Sequence, residues 1–163
     1  MGRIYEFVEV DGKQLNTLFD SGAVRSYITR KSAEDTGLKI EKLKTEFKTA
    51  LGGKTQVINE YCVVQGNIKG NSFYITSNVI DDLGIDEKGI EIGMLFGASD
   101  MQVWNINLDL KHETLDLSRF RKEFVEYRDD YLSKRAKNAS TREEFEKLLE
   151  KVPDVEPEDY DKF

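Results

Sequence analysis

The sequence predicts a mainly β fold, a small barrel or sandwich of short strands, followed by a charged helical extension. Three observations carry this expectation. Short apolar runs rich in β-branched and aromatic residues recur along the first part of the chain, glycine-bearing turn signals break them up, and the apolar period changes from two to that of a helix near Arg119.

The elements follow in order. Ile4 to Val10 reads as a strand, and Asp11-Gly12 after it is a hairpin signal, because both types tolerate the left-handed backbone such a turn requires. A second strand, Gln14 to Phe19, delivers Asp20 into a turn. Thr29 to Thr36 reads as a short helix, with Gly37 where a C-terminal cap belongs. Further strands are expected at 44–50, 56–64, 72–78, 94–96, 103–110 and 114–117, punctuated by Gly52-Gly53, Gly66, Gly70, Gly84, Gly89 and Gly97. Beyond Arg119, Phe120, Phe124, Tyr127 and Tyr131 fall at helical spacing with charges between them. Ser140-Thr141-Arg142-Glu143 is a capping box that opens a second amphipathic helix ending before Pro153. The expected division is therefore a β domain over 1–118 and a helical extension over 119–163. The apolar stripe of the extension packs on the barrel, or else reinforces a dimer or docks a partner.

Bulk properties narrow the function. A chain of 163 residues suits one domain plus an appendage. Its net charge of -7 offers no basic face for phosphate, so no nucleic-acid partner is expected. No apolar stretch is long enough to cross a bilayer, and the first residues lack a signal-peptide apolar region, so no membrane partner is expected either. Cys62 is the only cysteine, which rules out an internal disulfide and fits a reducing, cytoplasmic setting; in Tyr61-Cys62-Val63-Val64 it reads as a buried structural thiol. His112 lies in a polar turn with no second His or Cys near it, so neither a metal nor a cofactor is expected.

The chemistry sits in one run, Leu18-Phe19-Asp20-Ser21-Gly22-Ala23, followed by Ser26, Tyr27 and Ile28. It puts an acid between two bulky apolar residues and a tight turn, where burial and a close hydroxyl can tune proton affinity. The run resembles the active-site signature of the retropepsin-like aspartic proteases, and the resemblance extends over roughly residues 4 to 118. It implies a small closed β-barrel working as a homodimer, with Asp20 of each copy forming a catalytic pair. Gly22 would bring an amide to the carboxylate, Ser21 would donate a hydroxyl hydrogen bond across the turn, and Ala23 would let the substrate approach. The Gly52-Gly53 pair resembles the tip of the family's flap, which closes over a bound peptide. Met94-Leu95-Phe96-Gly97 corresponds to the strand threading beside the catalytic loop, and Leu108-Asp109 with Thr114–Leu117 to the closing hairpin. Two departures stand out. Ala98-Ser99 separates Gly97 from Asp100, which offsets the following helix by one residue, and Val24-Arg25 occupies positions where viral relatives often carry acids that grip the substrate backbone. Substrate preference therefore does not carry over.

Two facing carboxyl groups that share one proton can activate water and protonate a peptide carbonyl without a metal. Asp35-Thr36-Gly37 contains the tripeptide best known for this chemistry, but Ser32-Ala33-Glu34 precedes it where a strand should feed the turn, and Leu38 follows where a small residue is wanted. It reads as the end of a helix. The second carboxyl is expected from Asp20 of another copy. The resulting expectation is an aspartic endopeptidase acting on a peptide or protein substrate. The alternative is a non-catalytic module that uses the same fold for dimerisation or peptide binding.

Overall fold

The computed structural model describes residues 2–122, so the helical expectations beyond Lys122 lie outside the described residues. The chain divides into two units after Phe120, and the β fold occupies the first. Strands β1 (Arg3–Val10) and β2 (Lys13–Asp20) form a hairpin in which Val10 faces Lys13 across a two-residue turn. Asp11 and Gly12 both take positive φ there, 50° and 75°, which matches the turn to the twist of the strands. β4 (Glu41–Leu51) and β5 (Lys54–Ile68) turn in the same way through Gly52 and Gly53, and β5 passes to β6 (Asn71–Ile80) through Lys69-Gly70.

The short strands β3 (Tyr27–Thr29) and β7 (Met94–Gly97) complete the main sheet, whose order is β1-β2-β7-β3-β6-β5-β4. β7 is inserted between β2 and β3, parallel to β2 and antiparallel to β3. The sheet closes on itself where Glu9 of β1 pairs with Asn67 of β5. Closure requires close approach. A Cβ at Gly66 would stand 2.7 Å from the Phe73 ring and 3.0 Å from the Glu9 carbonyl oxygen, so Gly66 lies inside β5 as a contact glycine, where the sequence suggested a break.

Alternation sorts the side chains. Phe19 and Phe96, neighbours across β2 and β7, point into the barrel and stack with centroids 5.0 Å apart, and Phe73 meets Phe96 edge-on at 5.3 Å. Leu18 and Leu95, one residue earlier on each strand, point the other way into a second cluster with Tyr27, Ile58, Ile80 and Ile92, packed against Phe47 and Leu51 of β4. Cys62 is buried in the barrel, where desolvation pushes its thiol up to about 11 and leaves it unreactive.

Two helices interrupt the strands. In α1 (Arg30–Asp35) the Thr29 hydroxyl accepts from the Ser32 amide, while Gly37, at φ 68°, and Leu38 return their amides to Glu34 and Ala33. That is the glycine-capped ending the sequence suggested, and it makes Asp35 a helix-terminal residue. After β7 the chain departs from expectation. Val103 and Trp104 belong to α2 (Ala98–Trp104), which Asn105 ends in the left-handed conformation, and the expected strand shrinks to β8 (Asn107–Asp109), paired with β9 (Thr114–Asp116). The side chain of Trp104 explains the helix: it stacks on Phe120 at 5.7 Å and donates its indole N–H to the Tyr74 carbonyl at 3.2 Å.

Phe96 contacts the rings of Phe19 and Phe73 and is fully buried. Phe96→Ala should therefore cost about 3–5 kcal/mol, read in urea as a lower midpoint at unchanged slope.

Candidate active site

Asp20 is the last residue of β2, opposite Arg3 on one side and Gly97 on the other. The strand ends there because Ser21 and Gly22 turn: Ala23 N–H bonds back to the Asp20 carbonyl at 3.2 Å. The turn brings the Gly22 amide to the carboxylate, donating to Oδ1 at 2.8 Å. The other oxygen, Oδ2, lies 3.3 Å from Arg3 Nε. The side chain of Asp20 is only 11% exposed, so this carboxylate sits at the edge of the core as the sequence suggested. Ser21 differs from expectation. Its hydroxyl engages the Gly2 backbone, accepting from the amide at 2.9 Å and facing the carbonyl oxygen at 3.3 Å, and so ties down the N-terminal residues while leaving Asp20 to Gly22.

The loop after Ala23 is fastened to the start of α2. The Ser26 hydroxyl accepts from Gly97 N–H at 3.0 Å and donates to Asp100 Oδ2 at 2.5 Å. The amides of Ala98 and Ser99 donate to the carbonyls of Ala23 and Val24, at 2.7 and 3.1 Å. Asp100 is thus the partner of the signature serine across 74 positions. Burial pushes its carboxyl up, and the hydrogen bond from Ser26 pulls it down. Its sequence signal was its position shortly after Gly97, which the Ala98-Ser99 spacing obscured.

Above the loop, the β4–β5 hairpin encloses a cavity of about 580 Å³. Asp20, Gly22, Ala23, Val24, Arg25 and Tyr27 form its floor, and Phe47 to Gly52 form the opposite wall. Gly52 and Gly53 both hold positive φ at the hairpin tip, 60° and 77°, a conformation that favours glycine. Gly52 lines the cavity, whereas Gly53 stands beyond its edge. One group the sequence did not single out, Arg3, reaches Asp20. The guanidinium of Arg25, which stands where relatives often carry an acid, lies over the Phe47 ring, 4.3 Å from its centroid, linking loop to hairpin. Asp35, the acid of the second tripeptide, is absent from this wall and lines a separate hollow with Asp81, Asp82 and Glu91. Among the described residues no group of His, Cys, Asp and Glu is placed to hold a metal ion.

The Asp100 carboxyl predicts a pH effect of definite sign. Its folded proton affinity exceeds that of the unfolded chain, so its contribution to stability is complete at acid pH and is lost as pH rises through the folded titration. Asp100→Asn keeps an acceptor for Ser26 without the charge. Its urea midpoint should match wild type in acid and exceed it at neutral pH.

A family model for aspartyl protease matches residues 7–99, more than half of the chain. The search of curated proteins gives no match. Among solved structures, the chain is similar to the retroviral protease-like domain of Ddi1 from Leishmania major, with TM-score 0.52 and 20% identity, covering 71% of this chain and 88% of that one. A retropepsin-like aspartic protease from Rickettsia conorii aligns at TM-score 0.43 and 21% identity over 66% of this chain and 77% of that one. The EIAV protease aligns at TM-score 0.43 and 23% identity over 67% and 94%. By its matched sequence and its β architecture, this chain belongs to the aspartyl protease family and has the retropepsin-like fold.

Proposed function

We propose that the chain is an aspartic endopeptidase that works as a homodimer, with Asp20 of each copy facing the other across a twofold axis. One observation carries the reading. Asp20, held by the Gly22 amide, is the single carboxylate among the described residues lining a cavity roofed by a glycine-tipped hairpin. One carboxyl group cannot both take a proton from water and give one to the carbonyl oxygen, so the reaction needs a second acid, which a second copy supplies.

In the pair, like charges this close keep one carboxyl protonated, and the proton belongs to both. The ionised member takes a proton from water as its oxygen attacks the peptide carbonyl carbon. The protonated member gives its proton to the carbonyl oxygen. The tetrahedral intermediate then collapses: the C–N bond breaks as the amine nitrogen receives the proton taken from water by the first carboxyl, the second takes back a proton from a hydroxyl of the intermediate, and a free carboxyl and amine leave. Gly22 fixes the carboxylate, Ser21 anchors the loop, and Ala23 with the Gly52-Gly53 tip borders the peptide. The second reading, a non-catalytic dimerisation or peptide-binding module, is favoured by the contact of Arg3 with Asp20 Oδ2, which occupies the oxygen a partner carboxyl would face.

The full chain should cleave an unstructured casein-like substrate, faster in mild acid, with activity per chain rising with concentration as the dimer forms. Asp20→Asn should lower turnover at least about 100-fold, while Asp35→Asn retains it. Peptide binding without turnover at any pH would establish the second reading instead.

A further inference from the structure

The cavity around Asp20 is opposite in charge to the chain that encloses it. The chain carries a net charge of -7, yet the ionised side chains facing the cavity are Arg3, Arg25 and the one carboxylate of Asp20. Arg3 is paired with Asp20. Arg25 has no carboxylate partner among the described residues. Arg25 is nevertheless held in place, because its guanidinium lies over the Phe47 ring at 4.3 Å. Stacking of this kind uses the face of the guanidinium and leaves its planar edge of N–H donors free to grip a carboxylate. Lys48, the next residue of β4, alternates to the outer face, because its neighbours Phe47 and Thr49 turn their side chains to Arg25 and Tyr27. With Arg3 and Asp20 paired, the charge left on the wall is that of Arg25, and a low-dielectric cleft focuses its field on the space within.

We propose that this cleft selects peptides bearing Asp or Glu side chains flanking the bond presented to Asp20, with Arg25 as the residue that determines this specificity. The proposal rests on the reading of the cavity as a peptide-cleaving site. In a twofold dimer Arg25 occurs on both sides of the scissile bond, so acidic residues are favoured before it and after it. The overall negative charge of the chain repels acidic peptides elsewhere on its surface, which confines their attraction to the cleft.

The test uses the full chain and three peptide sets that share an apolar centre and differ only in their flanks: Glu, Gln or Lys. The kcat/KM of the Glu set should exceed that of the Gln set about tenfold, the size of one charge-assisted hydrogen bond. The Lys set should be slowest, and the differences should shrink as salt is added. Arg25→Glu should reverse the order of the Glu and Lys sets. Equal cleavage of all three sets overturns the charge selection and leaves the peptidase reading standing. If none of the sets is cleaved, the peptidase reading falls, and binding decides the selection separately. Fluorescence anisotropy with the Asp20→Asn chain should rank the sets in the same order, and equal binding overturns the proposal.

Discussion

The whole site depends on a place where two backbones touch. A side chain at Gly97 would put its Cβ 2.4 Å from the Arg25 carbonyl oxygen and 2.8 Å from that of Val24, so only glycine lets β7 pass the active-site loop. Its φ of -87° is open to any residue, so the requirement is for space rather than for backbone freedom. Because the two segments are in contact, the first amides of α2 can take the loop carbonyls and the Gly97 amide can reach Ser26. The loop therefore has its backbone polar groups satisfied at the position where it must leave the sheet. Asp20, directly across β2 from Gly97, inherits that fixed position.

The same contact explains why a second acid lies so near the site without sharing its chemistry. Asp100 belongs to the first turn of α2 and ends the hydrogen-bond chain that starts at Gly97 N–H and passes through the Ser26 hydroxyl. Withdrawing it from water disfavours its charge, and the Ser26 hydrogen bond only partly offsets that effect. An acceptor is what the loop needs there, and the charge is incidental to it. Asp20 is held by other partners, the Gly22 amide on one oxygen and the Arg3 guanidinium within reach of the other.

How much of this the sequence disclosed follows the range of the interactions. Features set by neighbouring residues were legible. The Asp11-Gly12 hairpin, the Gly52-Gly53 tip and the capped end of α1 at Gly37 each depend on the φ preferences of one or two residues. Asp35-Thr36-Gly37 could be read as a helix end for that reason, despite its familiar letters. The Arg3–Asp20 pairing was legible in principle, since once Val10 faces Lys13, counting back along both strands sets Arg3 opposite Asp20. The fate of Val103 was not. A helix of 7 residues is too short to display a period, and its β-branched and aromatic C-terminal residues imitate a strand. What decides the matter is the docking of Trp104 on Phe120 and Tyr74, contacts that local pattern cannot reveal. The same limit hid the Ser26–Asp100 bond and the stacking of Arg25 on Phe47.

The two oxygens of the Asp20 carboxylate are held differently, in a way that suits the proposed dimer. The bond from the Gly22 amide to Oδ1 lies within a tight turn closed by the Ala23 amide, so it survives any rearrangement that spares the loop. The contact at Oδ2 has a different character, because the Arg3 side chain is 67% exposed and an ion pair of that kind contributes little to stability. In the proposed dimer the Arg3 contact is exchanged for the partner carboxyl, and the exchange costs less than breaking the turn would. The protomer is thus rigid on the side of the carboxylate that stays the same and loosely held on the side that must change. In the proposed dimer, an acid fixed by its turn and screened by a replaceable cation becomes reactive where a second copy and a peptide displace the arginine together.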